Sequence, residues 1–193
     1  MVLDNYFPST IGREEHLDWL PRVRPLLDEI FTGPADSLDP NFYKNGQTTY
    51  GKRNLVDDPK FSDFIHFVSE RGRHYLDIQG YQAPGFSPMF FANSFNKGSA
   101  HCRHVHSGCS ISGIYYVDTP PGSSQIIFTP NNSFKDFFDY MWRLKPGEPN
   151  WYSMMECRYN PYPGLLLFWP AWLYHEVPPN DSNEPRRSIV FNL

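Results

Sequence analysis

Nineteen prolines are spread along this chain of 193 residues, which is about twice the average usage of proline. Proline breaks helix interiors and is tolerated in turns, loops and edge strands. A helical bundle, a coiled coil and a helical repeat are therefore excluded. Aromatic residues make up 17% of the chain. Short strands around an aromatic core, joined by proline-rich loops, fit these two features best.

The length and charge of the chain narrow the class of protein further. A chain of this length is most simply one domain. Its net charge of −4 lacks the basic excess of nucleic-acid binders. No apolar segment approaches the roughly 20 residues that span a bilayer, and no signal peptide is visible. Three cysteines do not make a disulfide framework. We therefore expect a cytoplasmic protein with neither a membrane nor a nucleic-acid partner.

Two helical segments are predicted in the first half of the chain. Leucine, valine and isoleucine recur at helical spacing over residues 14–31. Two prolines interrupt this segment, which predicts a kink or two short helices. The second helix begins with an Asp-Asp-Pro capping sequence at residues 57–59. We expect it to end near Gly72 or Gly80.

From about residue 87 the pattern changes to that of β-strands separated by proline and glycine turns. The predicted strands cover residues 87–95, 109–117, 124–129, 164–169, 173–177 and 186–193. Helices followed by antiparallel strands predict an α+β fold, a double-stranded β-helix (jelly roll) buttressed by N-terminal helices. We expect a single domain over residues 1–193, with the helical buttress at about 1–86 and the jelly-roll core at about 87–193.

A long aromatic segment of irregular pattern covers residues 131–162. Loops of this length are usually functional lids or carry local structure of their own. Packing is one interpretation of the aromatic residues, and a lid over a site is the other. A base-stacking surface is disfavoured by the acidic balance of the chain.

Histidines are clustered in the sequence at His101, His104 and His106. Residues i and i+2 share one face of a strand, so His104 and His106 can point at one ion. His175 lies on a later predicted strand, which sheet pairing can bring beside that pair. Three ligands on one side of an octahedral ion leave three positions open, as oxygen-activating iron requires. For the His-x-His pair alone, a chance surface pair is the alternative, and His101 is expected to be a loop histidine.

Arg186 and Ser188 follow on the last predicted strand, where their spacing places them on one face. They can hold a carboxylate through charge-assisted hydrogen bonds. A solvated strand end is the alternative. A structural zinc site formed by Cys109 and the His-x-His pair is conceivable. It would leave His175 and the arginine-serine pair unexplained.

Three segments in this order resemble the 2-oxoglutarate/Fe(II)-dependent oxygenases. They are HVHSGCSISGIYYV, PGLLLFWPAWLYHEVPPN and RRSIVFN. The resemblance is closest to a small subgroup with phage and bacterial members, which has the pattern HxHxxSxxSGxYY, PGxLxxFPxxLxHxVxPN and RxSxxFN. It covers about residues 87–193 and is looser upstream.

The resemblance implies Fe(II) as the cofactor, 2-oxoglutarate as the co-substrate and O₂ as the oxidant. The matched positions are His104, His106 and His175 for iron, and Arg186, Ser188 and Tyr116 for the far carboxylate of 2-oxoglutarate. No catalytic residue beyond the metal ligands is implied. The implied reaction is hydroxylation of a small molecule or protein side chain, with release of succinate and CO₂. The implied setting is the cytoplasm of a bacterium or of a phage-infected cell.

One departure concerns His106, because most of the superfamily has a carboxylate at this position. The subgroup has histidine there. Three neutral imidazoles leave an iron site at 2+, whereas a carboxylate would reduce its charge to 1+. Two alternatives therefore stay open. One is a three-histidine metal dioxygenase that does not use 2-oxoglutarate, and the other is a non-catalytic jelly-roll binding or structural protein.

Overall fold

The computed structural model describes residues 9–33, 45–82, 85–130 and 156–193. The helices are α1 (Leu20–Thr32) and α2 (Ser62–Ile78), and the strands are β1 (Gly12–Glu15), β2 (Gly46–Thr48), β3 (Met89–Phe95), β4 (His101–His104), β5 (Ile111–Asp118), β6 (Ile126–Thr129), β7 (Cys157–Tyr159), β8 (Leu165–Pro170), β9 (Tyr174–Val177) and β10 (Arg186–Asn192). Neither described helix has the length and apolar character needed to cross a membrane.

These strands form two antiparallel sheets. The six-stranded sheet has the order β1-β8-β5-β10-β3-β2, and the four-stranded sheet has the order β4-β9-β6-β7. The six predicted strands correspond to β3, β5, β6, β8, β9 and β10, with ends that differ by at most two residues. The α+β jelly-roll prediction is confirmed. Most of the aromatic segment predicted at 131–162 lies outside the described residues, and its described end contains β7.

The first predicted helix is wrong at its start. Glu14 and Glu15 belong to β1, where they pair with Leu166 and Leu165 of β8. A short 3-10 turn at Leu17–Trp19 then leads into α1. Sheet pairing outweighs helical periodicity here, because β1 completes the edge of the six-stranded sheet beside a strand that is already buried.

The sequence predicted a kink or two short helices, and the structure has one continuous helix, α1, which contains both prolines. Pro21 lies in the first turn, where a helix forms no bond through the backbone N–H. Pro25 lies inside the helix and removes one bond. Burial of Val23 and Leu27, which are 1% and 0% exposed, offsets that loss.

The start of α2 is as predicted. The Asp58 side chain accepts a hydrogen bond from the Lys60 backbone N–H at 3.0 Å, and a 3-10 turn leads into the helix. The helix continues through Gly72 and ends just before Gly80, whose φ is +82°. A β-carbon at Gly72 would lie 2.4 Å from Cδ1 of Leu193, so this glycine lets the helix pack closely on the end of β10.

The six-stranded sheet is buried on both faces, because successive side chains of a strand point to opposite sides. One face packs against α1 and α2 through residues such as Tyr115, Leu166, Phe168 and Phe191. The other face packs against the four-stranded sheet. Its residues include Phe91, Tyr116, Leu167, Trp169 and Val190. Burial on both faces explains the uninterrupted apolar sequence LLLFW, and the cavity described next lies between the two sheets.

Candidate metal centre and adjoining cavity

A cavity of about 240 Å³ lies between the two sheets, with histidines and an arginine in its wall. Its volume is close to the lower end of the range for small-molecule sites. Three residues of β10 line the cavity: Arg186 at one end of the strand, and Val190 and Asn192 toward the other. The Asn192 end is also the histidine end. Ser112 of β5 pairs with both Asn192 and Trp169, and the Trp169 ring lies 4.9 Å from the His175 ring.

His104, His106 and His175 meet at this end of the cavity. Their candidate ligand atoms all lie within 4.8 Å of one another. His104 and His175 are direct partners across β4 and β9. His106 lies just beyond the end of β4, where its backbone N–H donates to the Ala171 carbonyl at 2.9 Å. The three histidines that the sequence singled out are therefore brought together.

Backbone carbonyls orient two of these rings. His104 Nδ1 lies 2.8 Å from the Cys102 carbonyl oxygen, and His175 Nδ1 lies 2.9 Å from the Leu173 carbonyl oxygen. In a neutral imidazole, Nδ1 donates to such a carbonyl, and Nε2 then carries the free lone pair. A ring held in this way offers Nε2 to a metal ion.

The spacing of the ligand atoms fits one ion. His106 Nε2 and His175 Nε2 are 3.1 Å apart. Two nitrogens at about 2.1 Å from one ion and at right angles to each other lie about 3.0 Å apart. The donor set of imidazole nitrogens suits Fe, Zn, Cu or Ni. These residues fit a divalent transition metal, including Fe(II).

Burial keeps these imidazoles neutral. Burial, together with the neighbouring His104, lowers the pKa of His175 to about 2 and that of His106 to about 4. Burial also lowers the pKa of His104, although the hydrogen bond to Cys102 opposes the shift. A metal ligand must be deprotonated. All three side chains meet that requirement at neutral pH without releasing a proton.

His101 and Cys109 lie outside the three-residue ligand group. The His101 ring is 3.8 Å from the His104 ring, and His101 also lines the cavity. The prediction of a loop histidine is therefore wrong. His101 is the first residue of β4, and its ring lies against a candidate ligand. The group that forms contains His175 in place of Cys109, so the structure does not form the alternative zinc site.

Arg186 is buried at the other end of the cavity, with 1% of its surface exposed. One guanidinium nitrogen donates to the Ser124 backbone carbonyl at 2.9 Å. The guanidinium carbon lies 4.5 Å from the centre of the Phe95 ring and 5.5 Å from that of the Tyr116 ring. These contacts hold a buried positive charge in one orientation. Sequence reasoning missed Ser124, because a contact through its carbonyl oxygen carries no residue signature.

Two buried hydroxyl groups lie beside Arg186. Ser188 pairs with Tyr116 across β10 and β5, and both side chains are 0% exposed. Among the described residues, neither hydroxyl has a hydrogen-bond partner. Burial raises the pKa of Tyr116, and Arg186 opposes the shift. A buried hydroxyl without a partner costs free energy, so a ligand with oxygen acceptors fits this end of the cavity.

Arg187, which lies between Arg186 and Ser188 in the sequence, faces the helices. Arg187 donates to Asp118, which also accepts from Arg24 of α1 at 2.9 Å. The Arg187 and Asp118 side chains thus join the sheet to α1. Asp118 is thereby part of an ion-pair network on the helix side and does not belong to the metal-ligand group. The solvated strand end considered for Arg186 and Ser188 is wrong, since both are buried.

The fold and the cavity define a class of protein: a jelly roll whose two sheets enclose a site that can hold a metal ion. The strands of the core also identify the particular family. Residues 90–192 match the family described as putative 2OG-Fe(II) oxygenase. The match spans more than half of the chain, which belongs to that family. Membership implies Fe(II) and 2-oxoglutarate as its cofactors, and the three histidines can bind the iron.

Solved structures share the fold. A Pseudomonas putida prolyl-4-hydroxylase superposes with a TM-score of 0.63 at 14% identity, over 95% of this chain and 91% of that one. A Trichoplax adhaerens prolyl hydroxylase, in complex with a peptide fragment of the hypoxia inducible factor oxygen degradation domain, gives 0.60 at 13%, over 94% and 82%. The α-ketoglutarate-dependent epimerase SnoN from nogalamycin biosynthesis gives 0.59 at 11%, over 95% and 76%. At these identities the likeness concerns the fold alone. No curated protein matches the sequence significantly.

Proposed function

We propose that the protein is a 2-oxoglutarate-dependent Fe(II) oxygenase that hydroxylates its substrate and releases succinate and CO₂. His104, His106 and His175 hold the iron in this proposal. Arg186, Ser188 and Tyr116 hold the far carboxylate of 2-oxoglutarate.

The observation that carries the proposal is the distribution of polar groups in and beside one cavity. Neutral imidazole nitrogens cluster at one end. A buried guanidinium lines the other end, and two buried hydroxyls without described partners lie beside it. 2-Oxoglutarate has a metal-chelating keto acid at one end and a carboxylate at the other, so its two ends match the two ends of the cavity. A dioxygenase that does not bind 2-oxoglutarate would have no use for the buried guanidinium and the two hydroxyls.

When bound, iron and 2-oxoglutarate supply the oxidation, in which O₂ is consumed, 2-oxoglutarate becomes succinate and CO₂, and one oxygen atom enters the substrate. The chain supplies orientation and exclusion of water. Arg186 donates charge-assisted hydrogen bonds to a carboxylate. The Ser188 and Tyr116 hydroxyls donate to the same carboxylate and are satisfied by it. The apolar wall between the two ends, which includes Ile114 and Val190, keeps water from the methylene carbons.

Anaerobic titration of the Fe(II)-loaded protein with 2-oxoglutarate tests the proposal. Chelation by the keto acid produces a metal-to-ligand charge-transfer band. Succinate should then form on admission of air and should depend on iron. Arg186→Gln should weaken the titration, whereas the variant should still bind iron. If the band is absent although iron is bound, the three-histidine dioxygenase without 2-oxoglutarate is favoured.

Elemental analysis separates the remaining alternative. A protein that retains no iron after loading and removal of free metal would be a non-catalytic jelly-roll binding or structural protein. His175→Ala is the matched variant, because it removes the most buried of the three candidate ligands. Equal iron content in the wild type and this variant would contradict the proposed ligand set.

A further inference from the structure

Asn192 occupies the metal end of the cavity and is held there by Ser112. The Ser112 hydroxyl donates to Asn192 Oδ1 at 2.8 Å. Ser112 is fully buried, while Asn192 lines the cavity and is partly exposed. Because the amide oxygen is engaged by Ser112, the amide nitrogen is the group of this side chain that is left to bind a ligand.

The Asn192 amide nitrogen carries two N–H donors. Within the described ranges, neither donor has an acceptor, since the only hydrogen bond of this side chain is the one from Ser112. A fixed amide with free donors beside a metal site can bind a carbonyl or similar oxygen. Such a contact places the rest of a ligand relative to the ion.

Three exposed apolar side chains line the same cavity: Tyr50, Met89 and Val105. They are 38%, 40% and 40% exposed. Tyr50 packs edge-on against Phe91 of the wall, with the ring centres 5.0 Å apart. Exposed apolar side chains gathered at the wall of one cavity mark a binding surface. This apolar mouth suits a ligand with an apolar portion.

Two cationic side chains lie near the mouth. A second cavity shares Tyr50, Met89 and Phe91 with the first and is also lined by Lys52 and Arg53. In the described parts of the chain, no aspartate or glutamate lines either cavity. Arg53 is paired with Asp58. Lys52 is exposed, with no carboxylate partner among the described residues. These charges disfavour a cationic ligand and favour a neutral or anionic one.

We propose that the substrate is a neutral or anionic molecule with an apolar portion and an oxygen acceptor, and that Asn192 binds this oxygen. The apolar portion lies in the mouth formed by Tyr50, Met89 and Val105. An anionic group, where the substrate has one, extends toward Lys52. The portion of the substrate that enters the cavity carries no amine or other cationic group. This inference rests on the proposed function and names its substrate class.

Three matched probes test it: N-acetyl-leucine methylamide, which is neutral, N-acetyl-leucine, which is anionic, and leucine methylamide, which is cationic. Each is titrated by calorimetry into the protein loaded with Fe(II) and 2-oxoglutarate without oxygen. We expect the neutral and anionic probes to bind about tenfold more tightly than the cationic probe. Tightest binding by the cation, or no binding by any probe at millimolar concentration, would overturn the proposal.

Two substitutions isolate the Asn192 contact. Asn192→Leu removes the N–H donors and keeps a side chain of similar size. We expect it to lower the affinity for the neutral probe about fivefold. Asn192→Asp keeps an acceptor for Ser112 but removes the donors and adds a negative charge, so it should weaken the anionic probe and strengthen the cationic one. Unchanged affinities in both variants would contradict the contact.

Lys52→Glu tests the charge of the mouth, with Lys97→Glu as the control of equal charge change outside both cavities. Only Lys52→Glu should weaken binding of the anionic probe relative to the neutral one. An equal weakening in both variants would assign the effect to net charge and refute the role of Lys52. If the wild type fails to bind 2-oxoglutarate, the proposed function fails. Probe titrations of the metal-free protein then still test the mouth.

Discussion

Tyr115 and Tyr116 are adjacent in the sequence, yet their hydroxyls serve opposite faces of the six-stranded sheet. The Tyr115 hydroxyl donates to the His16 backbone carbonyl at 2.7 Å on the helix side. The Tyr116 side chain packs in the core between the two sheets, and its hydroxyl has no hydrogen-bond partner among the described residues. One substitution at each position therefore separates ligand binding from stability.

Tyr116→Phe should weaken 2-oxoglutarate binding about fivefold, because it removes one hydrogen bond to the carboxylate. Its free energy of unfolding should change little, since no described partner is lost. Tyr115→Phe should lower the free energy of unfolding by about 1 kcal/mol and leave 2-oxoglutarate affinity unchanged. Urea unfolding and the charge-transfer titration measure the two quantities. If instead Tyr115→Phe weakened 2-oxoglutarate binding and Tyr116→Phe did not, 2-oxoglutarate would have to bind elsewhere.

Arg186 and Arg187 form a second adjacent pair with opposite roles. Arg186→Gln should lower the affinity for 2-oxoglutarate at least about thirtyfold, because truncating one partner of a buried charge pair costs about 2–5 kcal/mol. Arg187→Gln should leave the affinity unchanged and lower stability, since Arg187 bonds Asp118 and Asp28. The charge-transfer titration measures both variants. Comparable losses of 2-oxoglutarate affinity in both variants would show that the affinity depends on the overall positive charge and not on a contact with Arg186.

Metal binding should depend on His175 and not on His101. Metal at about 100 times its Kd should stabilise the wild type by about 2.7 kcal/mol. His175→Ala should abolish this increment, whereas His101→Ala should retain it. Anaerobic thermal unfolding with and without Fe(II) measures the increment. Loss of the increment in His101→Ala would add this residue to the ligand set.

Acidification should destabilise the metal-free protein from about pH 6.5 downward. The pKa of His101 is lowered to about 3 by burial and by the neighbouring imidazoles, and those of the three candidate ligands are lowered as described above. An unfolded histidine has a pKa of about 6.5. Below that value the unfolded chain binds more protons than the folded one, so the free energy of unfolding falls as pH falls. The stabilisation is fully present above pH 6.5.

Urea unfolding at about pH 7.5 and about pH 5 measures this dependence. His106→Gln should reduce the difference between the two pH values. His66→Gln, which removes an exposed histidine of α2, should leave it unchanged. A pH dependence equal in the wild type and His106→Gln would contradict the assignment.

Gly113→Ala should destabilise the fold. A β-carbon there would lie 2.1 Å from Cζ of Phe191 and 2.5 Å from the Leu167 carbonyl oxygen. Overpacking of this kind costs about 1–3 kcal/mol or more. Gly85→Ala is the control, because nothing lies within 4 Å of its β-carbon. Denaturant unfolding should show a loss only for Gly113→Ala.

The strands that were predicted and those that were missed differ in composition. Strands β3, β5, β8 and β10 carry seven, eight, six and seven residues of mostly apolar sequence, so they are visible without a partner. Strands β1, β4 and β7, which were not predicted, have the sequences GREE, HCRH and CRY. These contain little apolar signal, and hydrogen bonding to a neighbouring strand makes them β-structure.

For the site, the sequence alone determined which residues can act together locally, because strand alternation places Arg186 with Ser188 and separates Tyr115 from Tyr116. It also determined the family, through the order of three motifs. Only the tertiary structure decided that His175 lies opposite His104, that His101 packs against the site, and that Ser112 orients Asn192. Those relations depend on the register between strands distant in the sequence. Register is set by packing of the whole sheet and not by any one segment.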